Sequence, residues 1–323
     1  MNKIFIISPV SIAGCLITKG FADAFKKLGY FVIEKDIRET KFEEIEKYKP
    51  DLILGYDYSY LMDSELTKSL YNNTDYTQIH YFADEPQSRF AFTDNPKAYD
   101  LLKSSKNAKV FIWDNKFLDA FKNSKYLPLA VNPSLYKSMF EGYEHKISFV
   151  GRPLTDKRQK ILCELIKKYG EISIYAYKDH FARSIDEILD KKLLSKSEIE
   201  IYKSSYKGFL KTEKELAKVY NSTKINLNIT EQGLDNINYR VFEVLASSGF
   251  LITDYMDDLQ NLFEPGKELE SYNTVDDLLD KIDFYLKNLN IAQAIARQGR
   301  KSVVNNHTFK IRTEKILKTI NNK

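Results

Sequence analysis

The stretch of residues 224–254 constrains the fold of this 323-residue chain more than any other part. Ile225, Leu227 and Ile229 alternate with asparagines, which is typical of a strand with one buried face, and the apolar run 250–252 predicts a second strand. Between them, apolar residues at helical spacing predict a helix. This order of strand, loop, helix and strand is typical of a unit in a parallel sheet.

The start of that helix carries a pair of charged residues. Arg240 and Glu243 are three positions apart and project from one side. They follow the polar loop 230–238, and in open α/β sheets ligands collect where such loops enter helices, whose N–H groups favour anions. Glu243 is placed to accept hydrogen bonds from the two hydroxyls of a ribose. The alternative is an ordinary solvated glutamate on an amphipathic helix.

The same alternation of short strands and helices recurs along the chain, which predicts an α/β protein with parallel sheets. Residues 178–206 interrupt it as a charged, helix-forming insertion whose apolar residues keep no single face. Before the insertion, strands are predicted at 3–8, 31–34, 51–54, 77–82, 109–113, 125–129, 146–150 and 172–175, with helices at 11–28, 41–47, 64–71 and 115–123.

Composition describes an ordinary globular protein of about two domains. Basic residues exceed acidic ones by only 49 − 45 = 4, so no nucleic-acid partner is expected. The two cysteines, Cys15 and Cys163, are far apart in apolar surroundings, which predicts reduced thiols and a cytoplasmic location. The apolar start is too short for a signal peptide, and no apolar run is long enough to span a membrane.

Further candidate residues follow predicted strands. Asp84 and Asp114 come after strands of the first half, where a carboxylate could take a proton from an acceptor hydroxyl. For Asp84 the alternative is an Asx-turn or a helix cap. Gly14 lies in the first loop, where a tight turn is the alternative to a phosphate contact. Arg152 and Arg158 flank a helix start in the second half and suit a diphosphate, because a cation is unfavourable there without a bound anion.

Several segments in order resemble one family. They are RVFEVLASSGFLITD (240–254), FEPGKE (263–268), DDLLDKIDFYLKN (276–288) and IARQGRKSVVNNHTFKIRTEKIL (295–317). This series is similar to the C-terminal half of GT-B glycosyltransferases of the spore-maturation (CgeB-like) type, which are related to glycosyl transferases group 1. The resemblance covers roughly residues 204–317.

The resemblance implies two Rossmann-like domains facing across a cleft. An acceptor domain would comprise residues 1–145, completed by a C-terminal helix at 308–323, and a donor domain would comprise residues 146–307. The implied activity is transfer of a sugar from a nucleotide-diphosphate sugar to a surface glycan, a lipid-linked acceptor or a protein. A membrane-bound acceptor would require peripheral contact with the membrane. No metal cofactor is expected, since no Asp-x-Asp pair or His/Cys cluster is present.

Family site residues are carried over by position. An acid pair eight residues apart addresses the donor in this family, which implies Asp235 for the sugar and Glu243 for the ribose. Here Asp235 replaces the more usual Glu, and Ser248 stands where Gly is common. The family's strand followed by Asp-x-Pro matches Asp84, the candidate base of an inverting enzyme, with Asp114 in reserve. A catalytically silent binding protein and a nucleotide-sugar epimerase remain alternatives on the same fold.

Overall fold

The computed structural model describes residues 2–56, 64–72, 76–86, 100, 102–105, 107–231 and 237–321. The chain divides into two compact units, a first unit of Met1–Ala130 with Thr308–Lys323 and a second unit of Val131–His307. Within these described residues, each unit contains one parallel sheet of six strands. The predicted α/β class with parallel sheets is therefore confirmed.

Most strands of the two units lie where the sequence pattern predicts them. In the first unit they are β1 (Lys3–Ser8), β2 (Phe31–Asp36), β3 (Leu52–Tyr56), β4 (Thr77–Phe82), β5 (Ala108–Ile112) and β6 (Lys125–Tyr126), in the order β2-β1-β3-β4-β5-β6. In the second unit they are β7 (His145–Val150), β8 (Ser173–Tyr175), β9 (Tyr206–Gly208), β10 (Thr223–Asn228), β11 (Leu251–Asp254) and β12 (Glu270–Tyr272), in the order β12-β11-β10-β7-β8-β9.

The second sheet has a point where the direction of winding reverses. After β7 the chain adds β8 and β9 on one side, and it then returns to place β10 on the other side of β7. Open α/β sheets bind ligands outside the carboxyl ends of the strands at such a reversal. The loops that follow β7 and β10 are therefore where a ligand is expected.

Helices connect the strands and cover the sheets. They are α1 (Ile12–Lys27), α2 (Phe42–Tyr48), α3 (Ser64–Asn72), α4 (Asp156–Tyr169), α5 (Lys178–Asp190), α6 (Lys196–Ser204), α7 (Glu213–Ser222), α8 (Tyr239–Ala246), α9 (Val275–Lys287), α10 (Leu289–Asn306) and α11 (Phe309–Asn321). The last helix, α11, returns to the first unit and packs on α1, where the Phe309 ring contacts the Phe21 ring at a centroid distance of 5.1 Å. This return was predicted.

Two sequence predictions about secondary structure need correction. Residues 178–206 form helices as predicted, but they do not interrupt the alternation of strands and helices, because α5 and α6 deliver β9, the edge strand of the second sheet. Their apolar residues share no single face because they belong to two helices, separated where Lys192 takes a left-handed φ of 52°. The helix predicted at 115–123 is a shorter 3-10 turn, Asn115–Ala120.

The segment 131–145 packs within the second unit, although the sequence assigned it to the first. Tyr136 is fully buried there, and its hydroxyl donates a 2.7 Å hydrogen bond to Glu243 on α8. The Arg300 guanidinium on α10 in turn donates to the Tyr136 carbonyl at 3.0 Å. These hydrogen bonds hold the segment against the second unit. They join residues that are far apart in the sequence, so no local sequence pattern predicts them.

Candidate functional site

The donor-binding candidates of the second unit gather at the reversal point of its sheet. Strand β7 leads into Gly151 and Arg152, and β10 leads into Thr230 and Glu231. Helix α8 brings Arg240 to the same place, because a Cβ added to Gly151 would lie 3.6 Å from both terminal guanidinium nitrogens of Arg240. Residues from three separate elements thus meet around one loop.

Arg152 and Arg158 share one carboxylate, that of Glu231. The Nη2 of Arg152 donates to the two Glu231 oxygens at 2.8 and 2.9 Å, and the Nη1 of Arg158 donates to Oε1 at 2.8 Å. Two guanidinium groups, which the sequence analysis assigned to a diphosphate, are therefore held side by side by a residue of the β10 loop.

Arg158 is the fixed member of the pair. Its side chain is 6% exposed, whereas that of Arg152 is 48% exposed. Its Nε donates to the Ile229 carbonyl at 2.9 Å, and Nη1 donates to the Arg152 carbonyl at 3.0 Å. Burial and, in second place, the neighbouring charge of Arg240 lower the pKa of Arg158 to about 10. The guanidinium nevertheless stays protonated at neutral pH.

Arg240 adds a second, half-buried cation. Its Nε is buried and has no hydrogen-bond partner within the described ranges. A buried donor without a partner is costly, so such a group in a native protein calls for an explanation, which a bound anion would supply. Two cations placed close enough for Arg240 to lower the pKa of Arg158 likewise favour an anion between them.

A second ion pair lies beside these arginines. Lys157 Nζ donates to Asp254 Oδ2 at 2.6 Å and to the Thr230 hydroxyl at 2.9 Å. Asp254 also accepts hydrogen bonds from the Thr230 hydroxyl and, at 3.1 Å to Oδ2, from the Thr230 N–H. Lys157 is therefore tied to the carboxyl end of β11 and extends the cationic edge of the sheet.

Glu243 lies one turn into α8 and is 6% exposed, so its alternative interpretation as a solvated surface residue is wrong. It accepts the hydrogen bond from the Tyr136 hydroxyl at 2.7 Å. Burial raises the pKa of Glu243, while the Arg240 charge and the Tyr136 hydrogen bond act against that rise. The buried Tyr220 hydroxyl lies nearby and acts in the same direction as the Tyr136 hydroxyl, lowering the pKa of Glu243.

The remaining second-unit candidate, Asp235, lies outside the described residues. The turn that follows α8 forms as expected despite the serine at Ser248, which takes a left-handed φ of 61°. The glycine after it is required by a close approach, since a Cβ on Gly249 would lie 2.8 Å from the Tyr220 carbonyl oxygen.

The first-unit candidates lie at the carboxyl edge of the first sheet. Asp84 follows β4 and is exposed, and Asp114 follows the neighbouring strand β5 and is buried. Asp114 caps the 3-10 turn by accepting from the Lys116 N–H at 3.0 Å, which accounts for it without catalysis. Gly14 is buried, and an added Cβ would lie 2.9 Å from the Tyr56 ring. Packing by itself therefore requires a glycine there.

Sequence reasoning missed Glu231 and Tyr136. Glu231 directly follows Thr230 at the end of a predicted strand, a position that by itself marks a ligand edge, so its signal was present. Tyr136 is 107 residues away from the carboxylate that it contacts. No spacing in the sequence points to that contact.

Two further properties hold for the part of the chain that the structure describes. No group of three His, Cys, Asp or Glu residues is placed to hold a metal ion. No described helix combines the length and apolar character needed to cross a membrane.

Comparisons with known proteins agree with this geometry. Residues 158–318 match the family model described as glycosyl transferase-like (Glyco_trans_1_2), while no curated protein matches the chain. Similar solved structures include sucrose-phosphate synthase from Thermosynechococcus elongatus (12% identity, TM-score 0.74, covering 99% of this chain and 98% of that one). A glycosyltransferase from Rickettsia africae gives 15% identity and a TM-score of 0.69 over 100% and 99% of the two chains.

Another similar structure is Anabaena HepE, solved with UDP and glucose, at 12% identity and a TM-score of 0.68 over 99% of both chains. At these identities the structural likenesses show the fold, and they confirm the predicted GT-B class. The matched domain shows that residues 158–318 are glycosyl transferase-like, and at that level the sequence prediction of a glycosyltransferase is confirmed.

Proposed function

We propose that this glycosyltransferase uses a nucleoside diphosphate sugar and that Arg152, Arg158 and Arg240 bind the diphosphate. The observation that carries this proposal is the unpaired, buried Nε of Arg240 beside the buried guanidinium of Arg158. Guanidinium groups match phosphate oxygens in charge and geometry. HepE was solved with UDP and with UDP-glucose, which supports a donor of this class.

Glu243 is proposed to accept hydrogen bonds from the ribose hydroxyls, as the family resemblance implies. Its buried position one turn into α8 supports this role, since a buried carboxylate needs hydrogen-bond donors. Tyr136 provides one donor and so fixes the side-chain orientation. Asp235 keeps its proposed role beside the sugar.

The cationic edge would act on the leaving group. As the bond between sugar and diphosphate breaks, negative charge grows on the departing nucleotide, and prepositioned cations stabilise that charge without reorganising. Because guanidinium groups supply this charge, we propose that no metal ion is required. If the enzyme inverts, Asp84 is the proposed base and Asp114 the reserve; a retaining reaction needs neither.

The finer assignments follow from the resemblance. We propose the spore-maturation type, acting in the cytoplasm on a surface glycan, a lipid-linked acceptor or a protein. Contact with a membrane would then be peripheral.

A transfer assay tests the function. The full chain is incubated with nucleoside diphosphate sugars, beginning with UDP-glucose, with and without acceptors, and products are followed by mass spectrometry. We expect an acceptor heavier by one sugar, with matching release of the nucleoside diphosphate. An isomerised donor without acceptor would indicate an epimerase, and donor binding without either product would indicate a silent binding protein. Both outcomes contradict the proposal.

A further inference from the structure

The carboxylate of Glu231 occupies the donors that a diphosphate would use. It accepts from Arg152 at 2.8 and 2.9 Å and from Arg158 at 2.8 Å. Phosphate and carboxylate oxygens bind guanidinium groups through the same kind of charge-assisted hydrogen bond. The donor diphosphate and Glu231 would therefore compete for the same two positive charges.

The local charges leave room for one more anion. Lys157 is neutralised by Asp254, and Glu231 is shared between two arginines. Arg240 has no carboxylate partner within the described ranges, so the three arginines carry two charges more than Glu231 balances. The diphosphate of a nucleotide sugar carries two negative charges and would match this excess. If Glu231 stayed in place, its carboxylate would repel the phosphates.

The two ion pairs of Glu231, one with Arg152 and one with Arg158, differ in how readily they separate. The side chains of Arg152 and Glu231 are 48% and 27% exposed, so this contact can exchange for water at little cost. Arg158 is 6% exposed, and a buried cation that loses its partner is strongly disfavoured. Arg158 therefore needs an anion at all times, supplied either by Glu231 or by a ligand.

We propose that Glu231 is an internal anion that competes with the donor diphosphate for Arg152 and Arg158. It neutralises Arg158 when no donor is bound, gives way when the diphosphate arrives, and returns as the nucleoside diphosphate leaves. This inference rests on the proposed function, because it takes these arginines as the diphosphate site. Glu231 would thus set donor affinity and assist product release without touching the reacting atoms.

The test compares Glu231→Gln with the wild type by calorimetry against inorganic pyrophosphate, UDP and uridine. Glutamine keeps the size of the side chain and removes its charge, so pyrophosphate and UDP should bind about tenfold more tightly. This is the size of effect expected for one ion pair that is partly buried. The affinity for uridine should stay unchanged. The melting temperature without ligand should fall and should rise more than that of the wild type on adding pyrophosphate.

The matched control is Glu171→Gln. It removes the same charge from an ion pair with Lys207 at the opposite end of β8, and it should change none of these affinities. Unchanged or weaker pyrophosphate binding in Glu231→Gln would overturn the inference, and weaker binding would make Glu231 a positioning residue for the arginines. Should this variant not fold, Glu231→Asp keeps the charge on a shorter arm and should give a smaller gain.

Failure of both variants to fold would also overturn the inference, because Glu231 would then be a structural partner of Arg158. The proposed function fails separately, when the wild type binds no nucleoside diphosphate. A wild type that binds UDP or another nucleoside diphosphate, with no gain in the variants, removes only the inference about Glu231.

Discussion

The two units share one architecture and differ in the chemistry of their sheet edges. Each has a parallel six-stranded sheet. The carboxyl edge of the first sheet presents Asp84 and Asp114 after neighbouring strands, whereas that of the second presents Arg152, Arg158 and Arg240. The strands decide where a loop lies, and the loop residues decide what it can bind.

The edges also differ in burial. Arg158 is enclosed and held by two carbonyl oxygens and a carboxylate, while Asp84 is exposed. A buried, prepaired group suits ligand binding, and an exposed carboxylate suits proton transfer with an arriving acceptor. We therefore expect changes in the second unit to alter donor affinity and changes in the first to alter turnover.

The largest effect should come from Asp84→Asn. If the enzyme inverts and Asp84 is its base, turnover should fall ~10²–10⁴-fold, because the change removes basicity and keeps size. Donor affinity should hold, since the donor residues are in the second unit. Steady-state kinetics and calorimetry on the same preparation measure both. Near-normal turnover would reject the base role.

Asp114→Asn serves as the comparison. Asparagine is as good a cap as aspartate, so the 3-10 turn and the melting temperature should be retained. If turnover falls more in this variant than in Asp84→Asn, Asp114 is the base and the assignment of the two residues is reversed.

Arg240→Ala should weaken binding of a nucleoside diphosphate by about 10- to 100-fold, the range for a lost charge-assisted hydrogen bond. Affinity for the matching nucleoside should change little. The control Arg183→Ala removes a surface arginine of the same unit that is 67% exposed, and it should have no effect. Equal losses for diphosphate and nucleoside would instead show that Arg240 acts by supporting Glu243.

Glu243→Ala should weaken nucleotide binding by roughly 1–3 kcal/mol, and Glu243→Gln by less, because one carbonyl acceptor remains. Calorimetry with the nucleoside separates this loss from any effect on phosphate binding. Unchanged affinity in a folded Glu243→Ala variant would reject the ribose role.

Tyr136→Phe should shift the pH dependence of nucleotide binding. The Tyr136 hydrogen bond favours the charged form of Glu243, and burial raises the pKa of that carboxyl. Removing the hydroxyl should therefore raise this pKa further. Because the ionised carboxylate is the better hydrogen-bond acceptor, affinity lost as the pH falls should be lost at a higher pH in the variant. An identical pH profile would limit Tyr136 to packing.

The smallest effect is expected at the turn after α8, which lies away from both edges. Ser248 takes a left-handed φ of 61°, a conformation that costs a residue with a Cβ more than glycine. Ser248→Gly should raise the free energy of unfolding, measured in urea, by about 0.5 kcal/mol. This net value is the relief of the left-handed conformation minus the cost of the larger entropy of glycine in the unfolded chain. Donor binding should be unchanged.

Sequence patterns predicted the fold well and the site unevenly. The strand at 77–82 and the helix bearing Arg240 and Glu243 form as predicted. Both depend on local sequence signals, namely the spacing of apolar residues and the capping residue. The sharing of Glu231 by two arginines depends on loops brought together by the sheet. The Tyr136 contact depends on tertiary packing alone. Such contacts leave no regular spacing of residues along the chain from which they could be predicted.

The most direct test of the cationic edge is the difference in affinity between a nucleoside diphosphate and its parent nucleoside. Calorimetry with UDP, GDP, ADP and dTDP, each beside its nucleoside, should show at least one diphosphate binding about 100-fold or more tightly than its nucleoside. An Arg158→Ala variant that is folded to the same extent as the wild type should lose most of that difference in affinity. Equal affinities for diphosphate and nucleoside, or no binding across the panel, would contradict the account.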